Sequence, residues 1–378
     1  MKEIDKNKKI RIVAFQNAHN FGAVCQAYGL QQALQSMGYK DVLFLNYYPE
    51  YLKNRYDSLE RLQWLELDMV PFRRKITRVL KWAIFACNNL YRNLKFKYSI
   101  KTLLKQTSPE ESDANKFENY PMDVLICGSD QIWNTSLTHT YDPLFWGDLR
   151  MLPNVRKVAY APSTELAVIE NDDISEIVRR LDNFDSVSLR EGIIRDYIQP
   201  YTPKPLQVCV DSTILCGVEK FNKVVSKRLV KRPYICIYAY NHDDAFIKQM
   251  IESIPNYKQY EIHYVSFSAN NELFRSVLHS AVSVQDFLSY IKYADYVVTG
   301  SFHGLAFSLL FKKNFNVAVY KGMAGRMKAL LSEIGLMNRF INPGQEACWD
   351  EIDYDAVDLQ LEKLRNRAKE YLVNSIEK

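Results

Sequence analysis

Short apolar runs alternate with helical patterns along nearly the whole chain, in two successive series, and that alternation leaves few folds open. Ile10–Gln16 has the length and composition of a buried strand, Asn17–Gly22 is polar, Ala23–Met37 is patterned as a helix that stops at Gly38, and Asp41–Asn46 is a second apolar run. Strand, loop, helix and strand in that order make the βαβ unit of a parallel sheet. Apolar runs resume at Asp123–Cys127, Lys157–Tyr160, Ser186–Ser188 and Gln207–Val210, with helical patterns at Ile174–Leu181 and Glu191–Tyr197. Lys227–Pro233 is polar, ends in a helix-breaking proline and reads as a linker. Beyond it come strands at Tyr234–Tyr238, Glu261–Ser266, Tyr296–Thr299 and Asn316–Val319. Helices at Ala245–Ile254, Val284–Tyr293, Gly304–Phe311 and Gly325–Gly335 alternate with them, and Asp355–Ile376 is a last amphipathic helix. The expectation is an α/β protein of two Rossmann-like, doubly wound domains facing a cleft: residues 1–226, with a basic helical insertion at about 52–115, then 227–350, then a C-terminal helix in 351–378. No short-period repeat is visible, which argues against solenoids and propellers.

Composition narrows the function classes. With 47% hydrophobic and 25% charged residues the chain is neither disordered nor fibrous. Its longest apolar runs, such as Val79–Cys87 and Leu305–Phe311, are broken by Lys or Arg well short of the roughly 20 residues a spanning helix needs. The N-terminus, Met1–Lys9, is charged and leads into too short an apolar stretch for a signal peptide, so a cytoplasmic location is expected. The seven cysteines are scattered without a Cys-x-x-Cys pair, and none of the six histidines has another three or four residues away. Neither a disulfide framework, a metal site nor a tightly held cofactor is therefore expected.

Charge is concentrated. Net charge is +5, yet Phe72–Pro109 holds ten basic residues and no acidic one, leaving the rest of the chain at −5. Trp82, Phe85, Leu90, Tyr91, Leu94 and Phe96 interleave with these charges, as in an amphipathic helix lying against an anionic membrane at the inner face of the plasma membrane. A solvated outer face, or one meeting an acidic patch, would have the same composition. No recognition motif accompanies the charge, so nucleic acid is not an expected partner.

Ligands of open α/β sheets bind beyond the C-terminal ends of the strands. Four loops lie there. Asn17–Gly22, containing His19, Asn20 and Gly22, precedes a helix whose free N–H groups favour an anion, although an ordinary capped turn would look the same. Gly128–Asn134 places Ser129, Asp130 and Gln131 at a strand end, with a helix cap by Asp130 as the alternative. In Ser188–Glu191, Arg190 has the fork geometry that binds carboxylate or phosphate, or it forms an internal ion pair. Thr299–Gly304 sets Ser301 and His303 at the start of a helix, where an imidazole is placed for proton transfer.

In order and spacing these loops resemble the polysaccharide pyruvyl transferase family. The matching residues are Asn20–Gly22 with the helix after it, Gly128–Asn134, Ser188–Glu191, Asp211–Thr213 and Thr299–Gly304 followed by Leu305–Phe311, spanning roughly residues 17 to 340. The resemblance implies a GT-B-like fold and transfer of pyruvate from phosphoenolpyruvate, a substrate, onto two hydroxyls of a sugar or lipid-linked oligosaccharide as a ketal, in capsule or exopolysaccharide synthesis. It also implies Arg190 holding an anionic group of the donor, His303 moving a proton or stabilising departing phosphate, and Asp130 orienting or deprotonating an acceptor hydroxyl. Two departures stand out. Many members carry an arginine where this chain has Ser301, for which Arg326 is the expected substitute with Lys321 in reserve, and Ser212 stands where the family usually has proline. A glycosyltransferase using a nucleotide sugar and a non-catalytic carbohydrate-binding protein are the alternatives.

Overall fold

The computed structural model describes residues 4–56, 72–149, 154–239, 243–266, 276–318 and 324–378. Two parallel six-stranded sheets form the frame. The first contains β1 (Lys9–Val13), β2 (Asp41–Phe44), β3 (Val124–Cys127), β4 (Arg156–Ala159), β5 (Ser186–Leu189) and β6 (Leu206–Val208), in the order β2-β1-β3-β4-β5-β6. The second contains β7 (Tyr234–Tyr238), β8 (Glu261–Val265), β9 (Val277–His279), β10 (Tyr296–Thr299), β11 (Asn314–Ala318) and β12 (Phe340–Ile341), in the order β12-β11-β10-β7-β8-β9. Every pairing is parallel, with Ile12 opposite both Phe44 and Ile126. Central strands such as Val-Leu-Ile-Cys in β3 and Tyr-Ile-Cys-Ile-Tyr in β7 are buried at every residue, because helices cover both faces. Strand order reverses between β1 and β3 and between β7 and β10, so crevices open at those strand ends.

Helix α1 (Phe21–Met37) starts where the Asn20 side chain accepts the Ala23 amide and stops at Gly38, whose φ of 114° only glycine adopts freely. It is buried along most of its length and packs on the one-turn helix Ser212–Cys216, where the Ser212 hydroxyl donates to the Gln26 carbonyl at 2.7 Å. Within the basic segment, Phe72–Leu103 forms one helix, α2, while residues 57–71 lie outside the described residues. Helices α3 (Val284–Lys292), α4 (Phe302–Leu310) and α5 (Ala324–Glu333) serve the second sheet.

The last helix, α6 (Tyr354–Ile376), returns to the first sheet. There the Tyr371 hydroxyl donates to the Ala159 carbonyl at 2.8 Å, Arg365 to the Ile214 carbonyl at 2.9 Å, and Glu377 pairs with Lys8 at 2.6 Å. Between the two sheets, Phe21 stacks on Phe287 with ring centroids 4.5 Å apart, and it meets Phe96 of α2 at 5.0 Å.

The structure differs from the sequence expectation mainly at element ends. β1 closes at Val13 rather than Gln16, because the Gln16 side chain accepts the Ala14 amide and donates to the Leu45 carbonyl, turning the chain. β11 begins two residues early, at Asn314, and the expected end at Val319 lies outside the described residues. Edge strands β9 and β12, of three and two residues, leave no periodic signal to read.

Close packing at α1 gives a direct test. A Cβ at Gly29 would stand 2.6 Å from the backbone oxygen of Ser212. Gly29→Ala is therefore expected to destabilise the protein by about 1–3 kcal/mol in urea denaturation, since backbone has to move to admit one methyl group.

Candidate active site

The loops after β1, β3, β5 and β10 converge with the segment after β6 on one buried, charged cluster. Gly128 has a φ of 130°, and any Cβ there would collide with the Tyr160 carbonyl. This glycine lets the loop fold across the end of β4, where the Asp130 carbonyl accepts the Ser163 amide at 2.8 Å. Ser129 is thereby fully buried beside Arg190, whose Nη2 donates to the Ser129 hydroxyl at 2.6 Å and pairs with Asp211 Oδ2 at 2.7 Å. The Ser129 hydroxyl in turn donates to the same carboxylate oxygen at 3.1 Å. Asp211 Oδ1 accepts the Thr213 amide at 2.8 Å and lies 3.9 Å from His303 Nε2. The Phe302 ring lies 5.2 Å from the Arg190 guanidinium carbon.

The contact between Gly22 and His303 is what brings the two domains' loops together. A Cβ on Gly22 would overlap the His303 ring, so only glycine allows α1 to approach the start of α4 this closely. Gly22, Ser129, Asp130, Arg190 and His303 thus gather at one place.

Arg326, on the first turn of α5, feels the charges of Glu191, Arg190, Asp130 and Glu165 and so belongs to the same electrostatic set. Lys321, its reserve, lies outside the described residues. The other expected residues sit at the margin. The Asn20 side chain is engaged in capping α1, Gln131 reaches Glu165 Oε1 at 3.4 Å, and Ser301 precedes α4 without capping it. His19 stacks on Phe96 at 5.4 Å.

Two members of the cluster were not singled out from sequence. Asp211 belongs to the Asp-Ser-Thr triplet, in which attention fell on the serine that replaces proline, yet an acid directly after a short apolar run was the available signal. Glu191 occupies the N-cap position of the helix Gly192–Ile198 but does not cap it. Its Oε1 accepts the Ser163 hydroxyl at 2.6 Å, and its buried Oε2 has no hydrogen-bond partner.

Burial sets the protonation states. It works to raise the Asp211 carboxyl, but Arg190, His303 and the Thr213 amide outweigh it and hold Asp211 below the usual carboxylate range. Burial likewise opposes the charge on Arg190, and Asp211, Asp130 and Glu191 more than restore it. Glu191 is pushed up by burial, with Arg190, Arg326 and Ser163 only partly offsetting this. Burial lowers His303, against the pull of Asp211 and Asp130 and with Arg190 and Arg326 adding to the effect, which biases the imidazole toward its neutral form. The cluster therefore combines a fixed cation, a fixed anion, an imidazole biased toward its neutral form and a carboxyl biased toward its protonated form. The internal ion pair weighed for Arg190 is present, but it occupies Nη2 alone: Nε and Nη1 are buried without hydrogen-bond partners, two donors available to an anion. Among the described residues, no three or more His, Cys, Asp or Glu side chains gather to hold a metal ion.

Asp211→Asn should leave Arg190 buried without its counter-charge and cost about 3–5 kcal/mol in denaturant titration. Because the Asp211 pKa is depressed in the folded state, the stability it adds is complete above its ordinary value of 3.8 and is lost as pH falls through the lower native value. The gap between wild type and Asp211→Asn should accordingly narrow below pH 3.8. Gly22→Ala should displace His303 and lower turnover at least tenfold, with much smaller loss of stability.

Solved structures similar to the chain include a glycotransferase of kitacinnamycin (12% identity, 97% of this chain and 96% of that chain, TM-score 0.40). They also include the glycosyltransferase SnogD from Streptomyces nogalater (9% identity, 96% and 95%, TM-score 0.43) and the UDP-GlcNAc 2-epimerase of Neisseria meningitidis bound to UDP-GlcNAc (10% identity, 98% and 96%, TM-score 0.46). At those scores and identities the likenesses carry no conclusion about architecture or chemistry. A sequence comparison with curated proteins gives no match. The family model described as polysaccharide pyruvyl transferase matches residues 20–322, which takes in Gly22, Ser129, Asp130, Arg190, Asp211 and His303 though not Arg326, and the chain belongs to the polysaccharide pyruvyl transferase family.

Proposed function

We propose that this chain transfers the pyruvyl group of phosphoenolpyruvate to two hydroxyls of a sugar as a ketal, in the synthesis of a bacterial capsule or exopolysaccharide. The observation that carries the reading is Arg190, a buried guanidinium with two unpartnered donors beside an imidazole biased toward its neutral form, in a member of this family. Phosphoenolpyruvate brings a carboxylate and a phosphate, and Arg190 and Arg326 are the two cations of the cluster. Arg326 takes the part of the arginine that Ser301 replaces.

In the reaction the methylene carbon gains a proton and becomes methyl. The carbon bearing the ester accepts two sugar oxygens, and its bond to the phosphate oxygen breaks. Of the two hydroxyl protons released, one is matched by the proton gained at carbon and the other departs with phosphate. Glu191, biased toward its protonated form, is the acid for the methylene carbon. His303 is the base for a hydroxyl, with Asp211 stabilising the imidazolium that forms, and Asp130 orients the acceptor. Ser129 and Gly22 hold Arg190 and His303 in place.

A thermal-shift titration tests the donor. Phosphoenolpyruvate should raise the melting temperature saturably and beyond the effect of inorganic phosphate, because a ligand that binds the native state stabilises it by mass action. Arg326→Ala should weaken that binding about tenfold or more, the loss expected for one charge-assisted contact. Glu191→Gln should keep the shift but lower acceptor-dependent phosphate release by about 10²–10⁴-fold, and His303→Ala should do so similarly. A response to nucleotide sugars and none to phosphoenolpyruvate would replace this reading with glycosyl transfer. Sugar binding without phosphate release would leave a non-catalytic carbohydrate-binding protein.

A further inference from the structure

Helix α2 has two faces with different occupants. Its inner face is in place: Phe96 is buried against His19 and Phe21, the Ser99 hydroxyl donates to Gln285 Oε1 at 2.8 Å, and Lys95 lies 3.6 Å from Asp286. Its outer face is apolar and, among the described residues, uncovered. Of the twelve large apolar side chains exposed among the described residues, six stand on this helix: Val79, Ile84, Leu90, Tyr91, Leu94 and Tyr98, with Ile84 and Tyr98 63% and 64% exposed. At about 100° per residue, Ile84, Tyr91, Leu94, Tyr98 and Lys101 fall within an arc of about 100°, a continuous stripe opposite the packed face. Lys97, Lys101 and Lys105 are exposed along or beside it, and the segment Phe72–Pro109 holds ten basic residues and no acidic one.

We propose that the outer face of α2 docks on the surface of an anionic lipid bilayer. The surface needs a partner that is apolar and negatively charged at once, over the length of a helix. An acyl–headgroup boundary with acidic lipids offers both, the apolar side chains entering the boundary while the lysines meet headgroups. A second copy of the chain would set the exposed Lys97, Lys101 and Lys105 against the same lysines. Nucleic acid would answer the charge and leave the apolar stripe in water. No helix of the described residues is long and apolar enough to cross a membrane, so contact is along the surface. The inner face of the same helix buttresses the loop that carries Gly22, so docking of the outer face would hold the cleft near the bilayer, where a sugar carried on a lipid would arrive. Only that last point rests on the proposed function.

Vesicle flotation of the full chain tests the docking without reference to catalysis. Wild type should float with vesicles of phosphatidylcholine and phosphatidylglycerol mixed about 7:3, should not float with phosphatidylcholine alone, and should be released at about 1 M salt, where charges are screened beyond about 3 Å. The triple variant Ile84→Ser, Leu90→Ser, Leu94→Ser should bind at least tenfold more weakly. Lys101→Gln and Lys105→Gln, both at exposed side chains, should each weaken binding about fivefold. Melting temperatures matching wild type confirm that each variant is folded. Failure of wild type to float, equal flotation with phosphatidylcholine alone, or wild-type flotation by the folded variants would overturn the proposal. So would a solution dimer that the triple variant converts to monomer, since the occupant would then be a second copy.

Discussion

A guanidinium and a carboxylate removed from water together, Arg190 and Asp211, dictate much of what surrounds them. Either charge alone would be costly at that depth, so each needs the other within hydrogen-bond reach. Arg190 follows β5 and Asp211 follows β6, neighbours in the sheet, so the parallel order itself brings them close. Ser129 follows β3 and has to cross the end of β4 to join them. Gly128 permits the crossing, and the Ser163–Asp130 backbone hydrogen bond fixes it. The first sheet thereby presents a preformed charged surface before the second domain adds anything.

What the second domain adds is enclosure. Phe21, Phe96 and Phe287 fill the join between the sheets, and at its edge the imidazole of His303 comes against a glycine rather than a side chain. The depression of the His303 pKa and the elevation of the Glu191 pKa both follow from this enclosure, because both begin with loss of water. Electrostatic tuning here is a result of how tightly the two halves meet.

Much of this was legible in the sequence. The strands of the sheet centres are unbroken apolar runs, so their periods and lengths announced them, and the candidate loops were found because strand ends are where parallel sheets bind ligands. Legibility failed where a residue's role depends on distant company. Asp211 looks like a helix cap, and it is one, but its ion pair with Arg190 joins residues from separate loops. Glu191 was visible as a letter in Ser-Leu-Arg-Glu, while its desolvation is a property of the assembled cleft. Asn20 shows the converse: a side chain that reads as a ligand group is engaged in starting a helix. Edge strands β9 and β12 escaped notice because two or three residues cannot display a period, whereas β6, equally short, lies within a longer apolar run.

The return of α6 to the first sheet has a consequence for the order in which the molecule can be completed. Tyr371 and Arg365 reach elements that were made some 150 to 210 residues earlier, Ile214 and Ala159. On the ribosome, the first domain therefore waits for its final layer until the whole second domain has emerged, and β4 carries an unfinished apolar face throughout that interval. Vectorial synthesis favours folding from the N-terminal end, whereas this topology makes the first domain the last to close.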